Sequence, residues 1–198
     1  MKFPEKELLR ILKEFRPDAV VSTYPLYPYF LAEYPIPKLP VFTVVTDSIE
    51  INAAWLRAPG DFWLVTDLST REGMIRKGLA AEKVVDTGFP VNPSFAELSP
   101  VDSEDACNPF SILYFPTAKK SLLVPQGRAL LEASPAVRLT LVLGRNVRTL
   151  FHEAKSLKSA FPGRVRITGW TRKVPRLLNS HHLVVGKAGG ATVHEAIA

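Results

Sequence analysis

Two stretches of this chain combine residue types and spacings that could do chemistry. The first is Asp47, which follows the apolar run Pro40-Val-Phe-Thr-Val-Val-Thr46 and precedes Trp55 by eight positions. A carboxylate at the carboxyl end of a buried strand stands where open α/β sheets place their ligand-facing side chains, and it could take a proton from an alcohol. The same position suits an Asp that caps the following helix, so both roles stay open. Trp55 reads as core or loop packing rather than a ligand platform. The second stretch is Gly186-Lys-Ala-Gly-Gly-Ala-Thr-Val-His-Glu-Ala-Ile-Ala198. A strand ending at Val185, a turn through Gly189 and Gly190, and a helix opening near Thr192 would aim unpaired backbone N–H groups and a positive dipole end at one point. That point suits a phosphate. Glycines let the backbone approach a ligand closely, and Lys187 could add charge. Thr192-Val-His-Glu195 also fits a capping box, in which the helix satisfies its own first donors.

Gly144-Arg-Asn146 and Gly169-Trp-Thr171 each follow a strand, so they share one rim with the Lys187 loop. Each has a plainer role: Gly144 could only turn the chain, and Asn146 could cap a helix. His152, His181, His182 and His194 show no metal-ligand spacing with Cys or carboxylates, and no metal site is expected. No Ser/His/Asp order, Walker loop or GxGxxG fingerprint occurs.

The elements that must position these residues follow from periodicity. Leu8, Leu9, Leu12 and Phe15 recur at helical spacing among charged residues, and Pro17 ends that helix. Short apolar runs then predict strands over 18–22, 40–46, 61–66 and 83–86, with a polar helix over 69–77. After the Pro-, Ser- and acid-rich stretch 93–109, strands are predicted over 111–115, 138–143, 164–168 and 182–185. Helices are expected over 121–133, from Val147 to about Leu157, and over 174–178. This alternation predicts parallel sheets in two α/β domains, 1–92 and 110–198, joined by a linker over 93–109. Each domain looks incomplete.

The chain has 198 residues, 46% hydrophobic and 22% charged, and no apolar run approaches the roughly 18 residues of a membrane span. Its start is charged and amphipathic, unlike a signal peptide, which suggests an intracellular protein. The single Cys107 excludes an internal disulfide framework. Net charge is +6, which favours an anionic partner. No nucleic-acid motif or long Lys/Arg block is present, so lipid or nucleotide is expected and nucleic acid is not.

The order of "RPDAVVSTYP", "PVFTVVTDSIEINAAW", "DFWLVTD", "VVDTGFPV", "LTLVLGRN", "VRITGWT" and "LVVGKAGGATVHEAIA" resembles the monogalactosyldiacylglycerol synthase and processive diacylglycerol glucosyltransferase group of glycosyltransferase family 28. The resemblance implies the GT-B fold, two Rossmann-like domains facing across a cleft, both truncated here. The 1–92 domain would serve the lipid acceptor and the 110–198 domain would bind the UDP-sugar. It also implies an inverting, metal-independent hexosyltransferase, with UDP-glucose or UDP-galactose as donor and no cofactor. The acceptor would be diacylglycerol or a similar lipid, met by peripheral attachment to an anionic membrane on the cytoplasmic side. By the same resemblance Asp47 is the base, while Gly189, Gly190 and Thr192 form the diphosphate loop; Ala191 at the helix start and the charge of Lys187 would support it. Glu195 holds the ribose, Gly169 and Trp170 lie where the backbone meets uracil, and Gly144 and Asn146 face the nucleotide. The chain departs from that pattern in three places. Asn52 stands where plant-type members carry His. "YFPTAKK" lacks the usual glycine-rich turn. The N-terminal glycine-rich loop and the sugar-contacting Gln segment lie outside these residues, so the isolated chain is expected to be inactive. The alternatives are an N-acetylglucosaminyltransferase acting on a polyprenyl-linked peptidoglycan precursor and a UDP-N-acetylglucosamine 2-epimerase.

Overall fold

The period-two and period-3.6 stretches of the sequence become β/α alternation in the computed structural model, which describes residues 3–33, 39–47, 51–98 and 109–198. The chain divides into two units, Met1–Pro90 and Val91–Ala198. The first contains α1 (Phe3–Phe15), β1 (Val20–Ser22), α2 (Leu26–Glu33), β2 (Val41–Val44), α3 (Ala53–Arg57), β3 (Phe62–Val65), α4 (Leu68–Arg76) and β4 (Val84–Asp86). Its strands are all parallel and lie in chain order, β1-β2-β3-β4. The core is built by Val45, Ile51, Trp55, Trp63, Val65, Met74 and Val84. Each large side chain buried there contributes about 1.5–3 kcal/mol.

Chain turns obey local rules. Arg16 ends α1 in the left-handed conformation, φ 47°, its N–H donating to Leu12 O (2.9 Å), and Pro17 cannot continue the helix. Of the apolar residues read along α1, Leu12 is buried while Phe15 is exposed. Two helices, α2 and α3, were not legible in the sequence. α3 has only five residues, and α2 is apolar on nearly every side, so neither shows a two-faced pattern.

The second unit contains β5 (Ser111–Phe115), α5 (Lys120–Glu132), β6 (Arg138–Val142), α6 (Val147–Ala160), β7 (Val165–Thr168), α7 (Val174–Asn179), β8 (Leu183–Gly186) and α8 (Gly190–Ile197). Its parallel order is β7-β6-β5-β8. Buried Leu123, Leu131, Leu139, Leu141, Leu150 and Leu157 form most of its core with Tyr114. A Cβ on Gly127 would strike the Leu157 side chain, so glycine is what lets α5 and α6 approach there. Of the stretch read as a linker, Pro93–Phe95 forms a 3-10 turn whose Phe95 is buried against Leu113, Val142 and Leu178. Residues 99–108, including Cys107, lie outside the described residues.

Below β8, His181 joins the end of α7 to β6. Its Nδ1–H donates to Leu177 O (2.7 Å), which leaves Nε2 to accept from the Thr140 hydroxyl (2.8 Å). Burial first, then the Arg166 and His182 charges, hold its pKa below the ordinary value. The folded form is therefore neutral where an unfolded His would begin to protonate. Its contribution is present above the unfolded pKa and is lost as pH falls. Thermal melts should show stability dropping between about pH 7 and pH 5, and His181→Gln should flatten part of that drop. An unchanged slope in the variant would remove His181 as the cause.

Candidate functional site

Asp47 follows β2 and is partly buried. Its Oδ2 accepts a 2.7 Å hydrogen bond from Trp55 Nε1–H. Trp55 is 4% exposed and fixed in the core, where its own carbonyl accepts from Trp63 Nε1 (3.1 Å). The position of Trp55 is set by Asn52, the N-cap of α3, whose Oδ1 accepts from Ala54 N (2.9 Å). Trp55 is thus the third helical residue, and side chains in a first turn lean back toward the preceding loop. Asp47 does not cap α3, so that alternative is replaced by the Asn52 cap. The contrast within one sheet is direct: Asp67, at the carboxyl end of β3, does cap α4, accepting from Thr70 N at 2.7 Å. Trp55 belongs to the core, as read from the sequence, but its indole N–H also orients Asp47. Asp47 Oδ1 has no partner among the described residues.

In the second unit, α8 begins at Gly190 with Gly189 as N-cap, two residues before the predicted start at Thr192. No side chain caps it, so the Thr192/Glu195 capping box does not form. Gly189 suffices as an N-cap, and the helix therefore opens upstream of Thr192. Gly189 N–H donates to Lys187 O at 2.8 Å, and Val193 N–H to Gly189 O at 3.1 Å. Among the described residues the N–H groups of Gly190, Ala191 and Thr192 have no acceptor, and they point out of the helix start. Glu195 lies a turn further on, and burial holds its carboxyl above the usual range.

Strand order locates the crevice. β5, β6 and β7 run outward in one direction, and the chain then returns to place β8 on the other side of β5. The reversal lies between β5 and β8, where Phe115 is in register with Gly186. A doubly wound sheet opens for a ligand at that switch point. The Lys187–Gly189 loop therefore faces the loop after β5, which leads into α5 at Lys119 without a side-chain cap. Two helix starts and the exposed Lys119, Lys120 and Lys187 share this end of the sheet. Lys119 and Lys120 carry no local sequence signal of a site, because "YFPTAKK" lacks a glycine-rich turn; the β5/β8 adjacency brings them in.

Gly144–Asn146 forms a 3-10 turn with Gly144 at φ 55°, so Gly144 does turn the chain, whereas Asn146 makes no side-chain cap to α6. Gly169 lies against Val147, whose Cγ2 would be 3.2 Å from a Cβ at Gly169. Trp170 is 58% exposed, with the Arg172 guanidinium over its ring at 5.6 Å. These loops stand two and three strands from β8, about 10 and 14 Å along the rim. An extended anionic nucleotide laid along the carboxyl edge would meet all three. Among the described residues no three His, Cys, Asp or Glu side chains gather.

Two parallel α/β units with glycine-bearing loops at the strand carboxyl ends are the GT-B type of fold. The monogalactosyldiacylglycerol synthase family model matches residues 1–91. Over 209 aligned positions the chain is 26% identical to the processive diacylglycerol beta-glucosyltransferase of Bacillus cereus strain AH187 and 25% identical to that of Bacillus thuringiensis strain Al Hakam. In each case 99% of this chain is covered but 52% of the relative, so the chain spans about half the length of these proteins. Among solved structures, Anabaena HepE in complex with UDP and glucose matches 89% of this chain and 54% of its own with TM-score 0.55 at 14% identity. The UDP-N-acetylglucosamine 2-epimerase of Rickettsia bellii matches 93% and 55% with TM-score 0.61 at 13% identity. The chain is thus similar in sequence to the monogalactosyldiacylglycerol synthase and processive diacylglycerol glucosyltransferase group, and it shares the fold of Anabaena HepE and of the Rickettsia epimerase alike.

Proposed function

We propose that the protein transfers a hexose from UDP-glucose or UDP-galactose to the hydroxyl of diacylglycerol or a similar lipid, with inversion and without a metal ion. The observation that carries this reading is Asp47, held through Oδ2 by a buried indole with Oδ1 unpartnered among the described residues. In this reaction Oδ1 takes the proton of the lipid hydroxyl while that oxygen attacks the anomeric carbon from the face opposite UDP. The bond from that carbon to the β-phosphate oxygen breaks, and the electron pair leaves with UDP. The N–H groups of Gly190, Ala191 and Thr192, which have no acceptor among the described residues, stabilise with Lys119, Lys120 and Lys187 the charge that develops there. Gly169 and Trp170 lie where uracil would meet the backbone, Gly144 and Asn146 beside it, and Glu195 accepts from the ribose hydroxyls. Asn52 is occupied as a helix cap, so the mechanism asks no proton transfer of it. Likeness to diacylglycerol glucosyltransferases supports this reading over the epimerase one, which the fold alone leaves equal.

Among the described residues no helix is long and apolar enough to cross a membrane. A lipid acceptor then requires attachment at a bilayer surface, which this reading places on the cytoplasmic face. The test, made with the full-length protein, is transfer of label from UDP-glucose and UDP-galactose to diacylglycerol in mixed micelles, with the anomeric configuration of the product determined. Labelled glycolipid of inverted configuration, formed equally in EDTA, is expected. Conversion of UDP-N-acetylglucosamine to its 2-epimer with no lipid product would overturn the proposal.

A narrower expectation concerns Glu195. Glu195→Ala should weaken UDP binding about tenfold, the value of one hydrogen bond to a charged group, and leave pyrophosphate binding unchanged. Isothermal calorimetry with both ligands separates the roles. Equal losses would mean that Glu195 acts on the loop and not on the ribose.

A further inference from the structure

Charge is divided unevenly along the chain. Residues 109–198 hold 14 Lys and Arg against 3 Asp and Glu, net +11, whereas residues 1–108 hold 11 against 16, net −5. A diphosphate at the β5/β8 crevice uses only a few of the second unit's cations. Others collect where β7, the outermost strand in the order β7-β6-β5-β8, runs beside α6. Between these elements lies an open groove of about 690 Å³, with Val147, Phe151, Pro162 and Ile167 among its apolar lining and Lys155 and Lys158 among its polar lining. Phe151 is 49% exposed. Both lysines are exposed, and neither has a carboxylate partner among the described residues. Glu153, the single carboxylate of α6, has Oε2 turned out of solvent. The outer face of the helix is therefore apolar and cationic.

The groove's rim end, at Gly169, borders the position proposed for uracil, but its cationic end lies away from the diphosphate. Lys155 and Lys158 stand about 12 and 16 Å along α6 from Val147 at the rim, and the Lys187 loop lies three strands further across. They are out of reach of a diphosphate there. An apolar trough edged by two lysines fits a ligand with an apolar body and an anionic head. A nucleic acid would use the cations and leave the trough empty.

We propose that the α6–β7 edge is the surface by which the protein docks on anionic phospholipid membranes. Phe151 enters the boundary between headgroups and acyl chains, and Lys155 and Lys158 face lipid phosphates. This rests on the lipid-acceptor reading above and names the surface that reading requires. Binding of the intact protein to sucrose-loaded vesicles, by sedimentation without donor or acceptor, tests it. Vesicles of phosphatidylcholine with phosphatidylglycerol should retain the wild type, pure phosphatidylcholine should not, and added salt should weaken retention. Each near-surface lysine is worth about fivefold, so Lys155→Glu with Lys158→Glu should weaken partitioning on the order of 30-fold or more. Lys77→Glu with Lys83→Glu, the same charge change on exposed residues of the first unit, should cost far less. The inference is overturned if the α6 pair leaves binding intact, if the control pair loses as much, or if the wild type ignores anionic vesicles while retaining an RNA oligonucleotide. Lipid transfer in mixed micelles is read separately, so a functional surface with no transfer would sink the transferase reading alone.

Discussion

Replacing Asp47 by Asn in the full-length protein is expected to lower kcat for hexose transfer about 10²–10⁴-fold, the ordinary contribution of a general base, with UDP affinity unchanged. The substitution is informative because it preserves the surroundings. Asn presents a carbonyl oxygen that can still accept from Trp55 Nε1–H, so the 2.7 Å hydrogen bond has a direct replacement. Volume and buried contacts are also retained, and α3 keeps its own cap at Asn52. Only the capacity to take a proton is lost. Circular dichroism and melting temperature should therefore be near those of the wild type. Near-normal turnover in Asp47→Asn would remove it as the base and leave it as a polar plug against Trp55. Trp55→Phe should lower kcat less, since the carboxylate stays but loses a hydrogen bond worth about 1.5–3 kcal/mol that orients it.

Gly189→Val should weaken UDP binding about 10- to 100-fold, through loss of hydrogen bonds to a charged ligand worth about 1.5–3 kcal/mol. Beyond the loss of a favoured N-cap at the start of α8, the fold should not suffer. Gly189 has φ −93° and ψ 149°, a conformation open to any residue, and a Cβ placed there meets nothing within 4 Å. Protein packing thus gives no reason for glycine at this point, and close approach of a ligand does. Gly186 is the contrast: a Cβ there would lie 3.1 Å from Phe115 Cβ and Phe115 O, so its glycine serves the pairing of β5 with β8. Calorimetric titration with UDP, beside a thermal melt, checks both parts. Wild-type affinity in Gly189→Val would place the diphosphate elsewhere.

What was legible in the sequence was local. Buried parallel strands read as short apolar runs, and β5 was predicted over the residues where it forms, 111–115. Amphipathic α6 announced itself by Leu150, Ala154 and Leu157, all buried in the structure. The same logic failed for α2, where Leu26, Tyr27 and Tyr29 are exposed apolar residues and no polar face marks a helix. It failed also at α8. Thr192 and Glu195 had the spacing of a cap, but a helix starts wherever the upstream backbone can enter it, and Gly189 could.

The sequence by itself determined the alternation of strands and helices, the placing of Asp47, Gly144, Gly169 and Gly189 just after strands, and the resemblance to lipid glycosyltransferases. These depend on neighbours a few residues apart, and hydrophobic periodicity records such neighbours. Tertiary structure alone decided that Trp55 donates to Asp47, that β8 returns to lie beside β5, and that Lys119 and Lys120 stand at the same crevice as Lys187. Strand order and the direction of a buried indole are settled by which surfaces exclude water together. That free energy belongs to contacts between distant segments, and no short window of residues carries it.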